Sequence, residues 1–121
     1  MDDFNKYANF PAPVTVCDKQ GVVIFMNDAS RRQFAKDGGQ SLLGKNLLDC
    51  HSSASKKMIM DMIESGKSNT YTVEKAGKKK LVYQAPWYGS SRSGERVLGG
   101  LIEISIELPE GMRHIVRDSS E

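Results

Sequence analysis

The 121-residue chain is poor in cysteine and has no long apolar run. Its two cysteines are too few for a disulfide framework, which favours a reducing, cytoplasmic setting. Apolar runs such as residues 22–26 are far shorter than the ~20 residues of a membrane span. The N-terminal residues lack the basic and apolar regions of a secretory signal. We expect no metal site, because paired zinc-ligand spacing is absent among the candidates Cys17, Cys50, His51 and His114.

The chain also lacks a strong charge of either sign. Lys and Arg number 17 against 15 Asp and Glu, which leaves a net charge of +2. That is too small to favour nucleic acid or a membrane surface as a partner. The basic run at residues 78–80 has no second basic patch or base-stacking platform beside it, so it predicts a solvated turn. With 39% apolar and 26% charged residues, the composition is that of one ordinary globular domain.

Five segments have the composition of β-strands: residues 14–17, 22–26, 70–74, 80–88 and 97–108. A tight turn joins the first two strands, where Gly21 or a neighbour needs a positive φ. In the fourth strand, Tyr83, Trp87 and Tyr88 flank Pro86. Proline removes a ladder donor and therefore predicts an edge or a bulge, with the aromatics against a partner or against the terminal segments.

The last strand alternates with period two, which predicts one buried isoleucine face and one wet face that carries Glu103 and Glu107. Catalysis would need a nucleophile with a base, or paired carboxylates in a cleft. Neither arrangement is present, and the chain is therefore not predicted to be an enzyme.

Short helices are predicted between the second and third strands. Asn27 or Asp28 can cap the first, which has Phe34 as its apolar anchor. The better helix follows Ser52 or Ser53, with its apolar residues on one face: Met58, Ile59, Met62 and Ile63. This order predicts an α+β fold, a five-stranded antiparallel sheet with short helices inserted after the second strand that cover one face.

Three motifs in this order resemble the PAS domain family. Residues 13–18 and 21–27 resemble its opening strand, Asp-x-x-Gly turn and second strand ending in Asn. Residues 43–48 resemble its leucine-glycine-lysine stretch, and Gly99-Gly100 resembles the start of its final strand. We therefore divide the chain into an amphipathic cap segment at residues 1–11, a PAS-like sensor domain at 12–108 and a tail or linker at 109–121.

The resemblance implies a bacterial-type sensory domain with a pocket between helices and sheet. Apolar and thioether side chains predict a small apolar or amphipathic ligand, in a pocket walled by Met26, Phe34, Leu47, Met58, Ile59, Met62, Tyr83 and Leu101. Ligand binding would then be transmitted by association with a signalling partner or an effector domain of the parent chain. Phe4, Tyr7 and Phe10 lie on one side of a short N-terminal helix and predict a homodimer interface.

Two alternatives remain open at this level. His51 could bind haem, and Cys50, near a helix N-terminus, could be a redox-sensing thiol; a packed histidine and a buried cysteine are the simpler interpretations. Flavin is not expected, because the Asn-Cys-Arg-Phe-Leu-Gln stretch of flavin photoreceptors is absent. The second alternative is a ligand-free scaffold that only mediates dimerisation.

Overall fold

The computed structural model describes residues 4–46 and 53–119, and these residues form one five-stranded antiparallel sheet with short helices. The strands are β1 (Val14–Asp18), β2 (Val23–Met26), β3 (Asn69–Lys75), β4 (Lys78–Ser90) and β5 (Arg96–Leu108). The helices are α1 (Asp28–Gln33), α2 (Ser53–Ser65) and the 3-10 turns Asn5–Tyr7, Ala35–Asp37 and Gly39–Leu42. The strand order is β2-β1-β5-β4-β3, and the predicted α+β fold is confirmed.

The turn between β1 and β2 is closed by its own aspartate. Asp18 Oδ1 accepts hydrogen bonds from the backbone N–H groups of Gln20 (2.9 Å) and Val22 (3.0 Å). Gly21 has a φ of 88°, a left-handed conformation that glycine adopts without steric cost. The positive φ predicted for this turn is therefore confirmed, and the turn returns the chain into β2.

Asn27 ends β2 and joins three parts of the fold. Its Oδ1 accepts from the backbone N–H groups of Val14 in β1 and Ser30 in α1, both at 2.9 Å. Its Nδ2 donates to the carbonyl oxygens of Ala12 (2.7 Å) and Phe10 (3.3 Å). The side chain is 1% exposed, and the two hydrogen bonds to its Oδ1 are fully buried. Asn27 therefore caps α1, as predicted, and also fixes the segment before β1.

The sheet has an apolar cluster on each face, because side chains alternate along every strand. The helix face carries Cys17 and Leu101, which pack with Ile59, Met62 and Ile63 of α2. The outer face carries Val14, Val16 and Phe25, with Phe4, Trp87, Ile102 and Ile104 packed against them. The core is therefore split between two sides of one sheet.

A glycine pair lets β5 pass between β1 and an indole ring. A Cβ atom on Gly99 would lie 2.3 Å from the ring of Trp87, and one on Gly100 would lie 2.0 Å from the carbonyl oxygen of Cys17. The indole Nε1 of Trp87 donates to that same Cys17 oxygen at 2.9 Å. Trp87 in β4 is thus hydrogen-bonded to β1 across β5. The two glycines are required because a side chain at either position would collide with Trp87 or with β1.

The β4–β5 hairpin is longer than predicted. The predicted strands at 80–88 and 97–108 leave residues 89–96 between them, but Ser90 pairs with Arg96 and only residues 91–95 lie outside the strands. The guanidinium of Arg96 lies 3.7 Å from the ring centroid of Tyr88, which favours the extension. Pairing between β3 and β4 ends at Gln84, so β4 is an edge strand on that side at Pro86. The pairing of β4 with β5 shifts register just after Trp87, the next residue. The predicted edge or bulge at proline is confirmed.

The N-terminal segment packs partly on the chain's own sheet. The ring of Phe4 meets Trp87 edge-on, with centroids 5.1 Å apart, and stacks on Phe25 at 5.8 Å. Tyr7 and Phe10 are instead 47% and 45% exposed. The prediction that Phe4, Tyr7 and Phe10 share one side of a helix is wrong, because only one 3-10 turn forms ahead of the prolines that follow.

Within the described residues, no helix is long and apolar enough to cross a membrane.

Candidate ligand-binding cavity

A cavity of about 810 Å³ lies between the helix face of the sheet, α2 and the 3-10 turns. This volume falls in the range of small-molecule sites, roughly 300–1,000 Å³. Five of the residues predicted as pocket walls line it: Met26, Phe34, Met58, Ile59 and Leu101. Met58 and Ile59 reach the cavity from α2. This helix begins at Ser53 and ends at Ser65, just before Gly66, which has a φ of 75°.

One predicted wall of the pocket, Met62, is absent from the cavity lining. Met62 packs in the core beside Ile63, one turn along α2 from Met58 and away from the cavity. Leu47, Cys50 and His51 lie outside the described residues, so the wall, thiol and haem-ligand roles given to them stay predictions.

The prediction that Tyr83 is a wall of the pocket is wrong. Tyr83 pairs with Ile104 of β5, and the two share the outer face of the sheet, where Tyr83 is 41% exposed. Its neighbour Gln84 pairs with Glu103 and lines the cavity instead. A shift of one residue along a strand reverses the face, and an aromatic side chain alone does not determine which face is covered.

The prediction that Glu103 and Glu107 share a wet face of β5 is confirmed for the exposed Glu107 but is wrong for Glu103, which lines the cavity. Leu101, Glu103 and Ser105 lie on the helix face, where Leu101 and Ser105 are only 5% and 3% exposed. The end of β5 is open on both faces, since Ile106 is 46% exposed and the side chain of Glu107 is 57% exposed. Polar side chains are tolerated on the covered face because they are paired: Ser105 Oγ donates to Gln33 Oε1 of α1 at 3.1 Å.

A row of polar side chains crosses the floor of the cavity. Asn69, Gln84, Glu103 and Thr15 are register partners on β3, β4, β5 and β1. Asn69 Nδ2 donates to Gln84 Oε1 (3.1 Å), and Gln84 Nε2 donates to Glu103 Oε1 (2.7 Å). The Thr15 hydroxyl forms a hydrogen bond with that of Ser30 in α1. We call these four strand residues the polar row.

Sequence reasoning missed the polar row as part of the site. Its members are separated by as many as 88 positions, from Thr15 to Glu103, and only strand pairing brings them side by side. A single polar residue in each of four strands is no signal alone. The signal that existed was Glu103 between Ile102 and Ile104 near the middle of β5, and the sequence interpretation took that glutamate to face solvent.

Negative charge dominates the described lining. Asp37 and Glu103 are its only charged side chains among the described residues, and no lysine, arginine or histidine there faces the cavity. Burial raises the pKa of Tyr71, also a lining residue, and the negative charge of Glu103 raises it further. Tyr71 therefore stays protonated at neutral pH and presents a neutral hydroxyl to the cavity.

The described part of the chain offers no reactive thiol or metal centre. Cys17 lines the cavity at 2% exposure, and burial is the main cause that raises the pKa of its thiol. A raised pKa keeps the sulfur protonated and slow to react, unlike the thiolates of redox sensors. Among the described residues, no group of three or more His, Cys, Asp or Glu side chains could hold a metal ion.

The sequence matches the model of a family described as PAS fold over residues 7–65. No curated protein matches it. Among solved structures, the PAS domain of BvgS from Bordetella pertussis has a TM-score of 0.59 and 23% identity, covering 88% of this chain and 84% of that one. The PAS domain of the histidine kinase ThkA has a TM-score of 0.57 and 14% identity, covering 78% and 97%.

A further similar structure is the VqmA dimer of Vibrio cholerae, solved in the absence of its target DNA. Its TM-score is 0.63 at 14% identity over 88% of this chain, which spans only 52% of VqmA. Another VqmA structure is described as bound to DPO. The family match over residues 7–65, the strand order and the helices inserted after the second strand show that this chain has the PAS fold.

Proposed function

We propose that this PAS domain is a sensory module that binds a small amphipathic molecule in its cavity and signals occupancy through protein association. The observation that carries the proposal is the cavity itself, in which apolar walls meet a polar floor. Sites of this kind bury the apolar body of a ligand and orient it with a few polar groups. The VqmA structure described as bound to DPO supports ligand binding within this fold.

The ligand would act by stabilising one arrangement of α2 against the sheet. Met58 and Ile59 reach the cavity from α2, while Leu101 and Glu103 reach it from β5. Besides the core side chains of α2, a hydrogen bond joins it to the sheet, in which Asn69 Nδ2 donates to Met58 Sδ at 3.5 Å. A molecule that touches both sides shifts the population toward the packing in which both contacts form.

Filling the cavity from α2 is expected to abolish ligand binding. Met58 lines the cavity and is 52% exposed, so a Met58→Trp change places a large ring there without disturbing the buried core. Wild-type protein is expected to bind phenylpropanol, a small amphipathic probe, with a Kd on the order of a millimolar. Calorimetry should show this heat disappear in Met58→Trp.

The matched control is Met60→Trp, on the same helix at 36% exposure and outside the lining. This variant should bind phenylpropanol as the wild type does. Equal binding by both variants would contradict the placement of the site. Native mass spectrometry of the freshly purified wild type is the companion measurement, because a co-purified small molecule would appear there as added mass.

We propose that association uses the exposed aromatics of the N-terminal segment. Tyr7 and Phe10 offer apolar surface beside the sheet, whereas Phe4 is occupied by Trp87 and Phe25. Two such surfaces can cover each other in a symmetric dimer. The same contact would bring the outer faces of two sheets into proximity.

Removing both exposed rings is expected to weaken self-association. Sedimentation velocity at high micromolar concentration should show wild-type dimers and a largely monomeric double variant, Tyr7→Ser with Phe10→Ser. The control is Val116→Ser, a change at an 84% exposed apolar residue of the tail, which should leave the dimer intact. A wild-type monomer at this concentration would refute the dimer, and ligand binding would remain to be judged by calorimetry.

A further inference from the structure

The polar row has a fixed direction of donation that ends on a carboxylate. A carboxylate can only accept hydrogen bonds, so Gln84 must turn its Nε2 toward Glu103, at 2.7 Å. Its Oε1 then faces Asn69, whose Nδ2 donates to it at 3.1 Å. Both amides are thereby oriented, and Glu103 is held in place with acceptor capacity to spare, because an ionised carboxylate has about four lone-pair sites.

Glu103 lacks a cationic partner in the part of the chain that the structure describes. The two salt bridges there join Arg31 to Asp28 and Lys78 to Glu107, and neither involves a cavity residue. Glu103 therefore presents an unneutralised acceptor to the cavity, beside apolar walls.

From this placement we propose that the cavity takes a small organic cation, an apolar body that carries a protonated amine, with the amine donating to Glu103. The proposal rests on the function proposed above and names the ligand class for the same cavity. Phe34, Met26 and Ile59 would cover the apolar body. The second carboxylate, Asp37, adds attraction for a cation and repulsion for an anion.

Three probes with one apolar body and different end groups test the charge preference. Phenylpropylamine, phenylpropanol and phenylpropionate are titrated into the intact chain by calorimetry at pH near neutral. A charged hydrogen bond in a half-buried site favours the amine over the alcohol by about tenfold or more. Phenylpropionate is expected to bind most weakly, because it meets two negative charges.

A Glu103→Gln variant tests the residue. The neutral amide can still bond to Gln84, so the fold is expected to persist, which a thermal melt verifies. Its affinity for the amine should fall about tenfold to the level of the alcohol, with the alcohol unchanged. The matched control is Glu107→Gln, on the same strand, because Glu107 is 57% exposed and lies outside the cavity. The control should keep the full preference for the amine.

The outcomes distinguish the cation proposal from the ligand binding on which it rests. If phenylpropanol binds but the amine has no advantage, or if Glu103→Gln keeps that advantage, the cation proposal is overturned while the cavity remains a ligand site. If none of the three probes binds at millimolar concentration, the proposed ligand binding fails, and the cation preference fails with it. An Asp37→Asn variant assigns any residual preference to the second carboxylate.

Discussion

An Asn27→Ala variant is expected to lose about 4 kcal/mol of unfolding free energy, on the scale of about 1 kcal/mol for each of the four hydrogen bonds removed. The change leaves two N–H groups and two carbonyl oxygens without this partner. At 1% exposure the side chain is shielded from water, which therefore replaces those bonds poorly. Since domains of this size have only about 5–15 kcal/mol in total, the variant should be close to unfolding. Urea titration followed by circular dichroism measures the loss.

Two further variants test that explanation. Asn9→Ala changes an exposed asparagine of the same N-terminal segment and should cost well under 1 kcal/mol, roughly the scale of ordinary surface substitutions. Asn27→Asp keeps the acceptor for Val14 and Ser30 but loses the donor to Phe10 and Ala12. The loss of unfolding free energy in Asn27→Asp should lie between those of the two alanine variants. Its N-terminal segment should be the first part that a protease cuts. A loss in Asn27→Ala no larger than in Asn9→Ala would contradict the joining role.

The second large effect is expected at Gly100. A Gly100→Ala change places a Cβ atom 2.0 Å from the Cys17 carbonyl oxygen and 2.6 Å from the carbonyl carbon of Asp18. These are backbone atoms of a central strand, and they cannot rotate away as a side chain can. The φ of 152° adds strain, because residues with a side chain rarely adopt it. We expect a loss of about 3–5 kcal/mol in unfolding free energy, or a chain that does not fold.

Gly94→Ala is the matched control for backbone conformation. Gly94 also has a positive φ, of 85°, but a Cβ there meets nothing within 4 Å. Its cost should be the conformational part alone, roughly 1–2 kcal/mol. Gly99→Ala should fall between the two, since the indole of Trp87 can tilt where the backbone of β1 cannot. Equal melting temperatures for the Gly100 and Gly94 variants would refute the steric argument.

Features set by neighbouring residues were predictable from the sequence. The Asp18–Gly21 turn and the cap at Asn27 depend on atoms within four positions of each other, and both predictions are confirmed. The number of strands and their order along the chain followed from composition and turn residues, and the structure confirms both. Local chemistry was sufficient in each case.

Features set by strand register were not predictable. Because side chains alternate along β5, Glu103 and Ile104 lie on opposite faces of the sheet, but the sequence of that strand does not indicate which face the helices cover. The apolar side was assumed to be the covered one, but Phe4 and Trp87 shield part of the isoleucine face and leave the glutamate face to the cavity. Tyr83 was assigned to the cavity without its register, which places it opposite Ile104, and the polar row could not be assembled at all.

The tie between Trp87 and β1 gives the domain an intrinsic optical probe. Trp87 is the single tryptophan of the chain, so its emission arises from one known place. Its N–H group holds the carbonyl of Cys17, whose side chain reaches the cavity on the opposite face, while Phe4 contacts the ring from the N-terminal segment. One fluorophore therefore lies between the cavity and the segment proposed for association, and its spectrum can follow both in unlabelled protein.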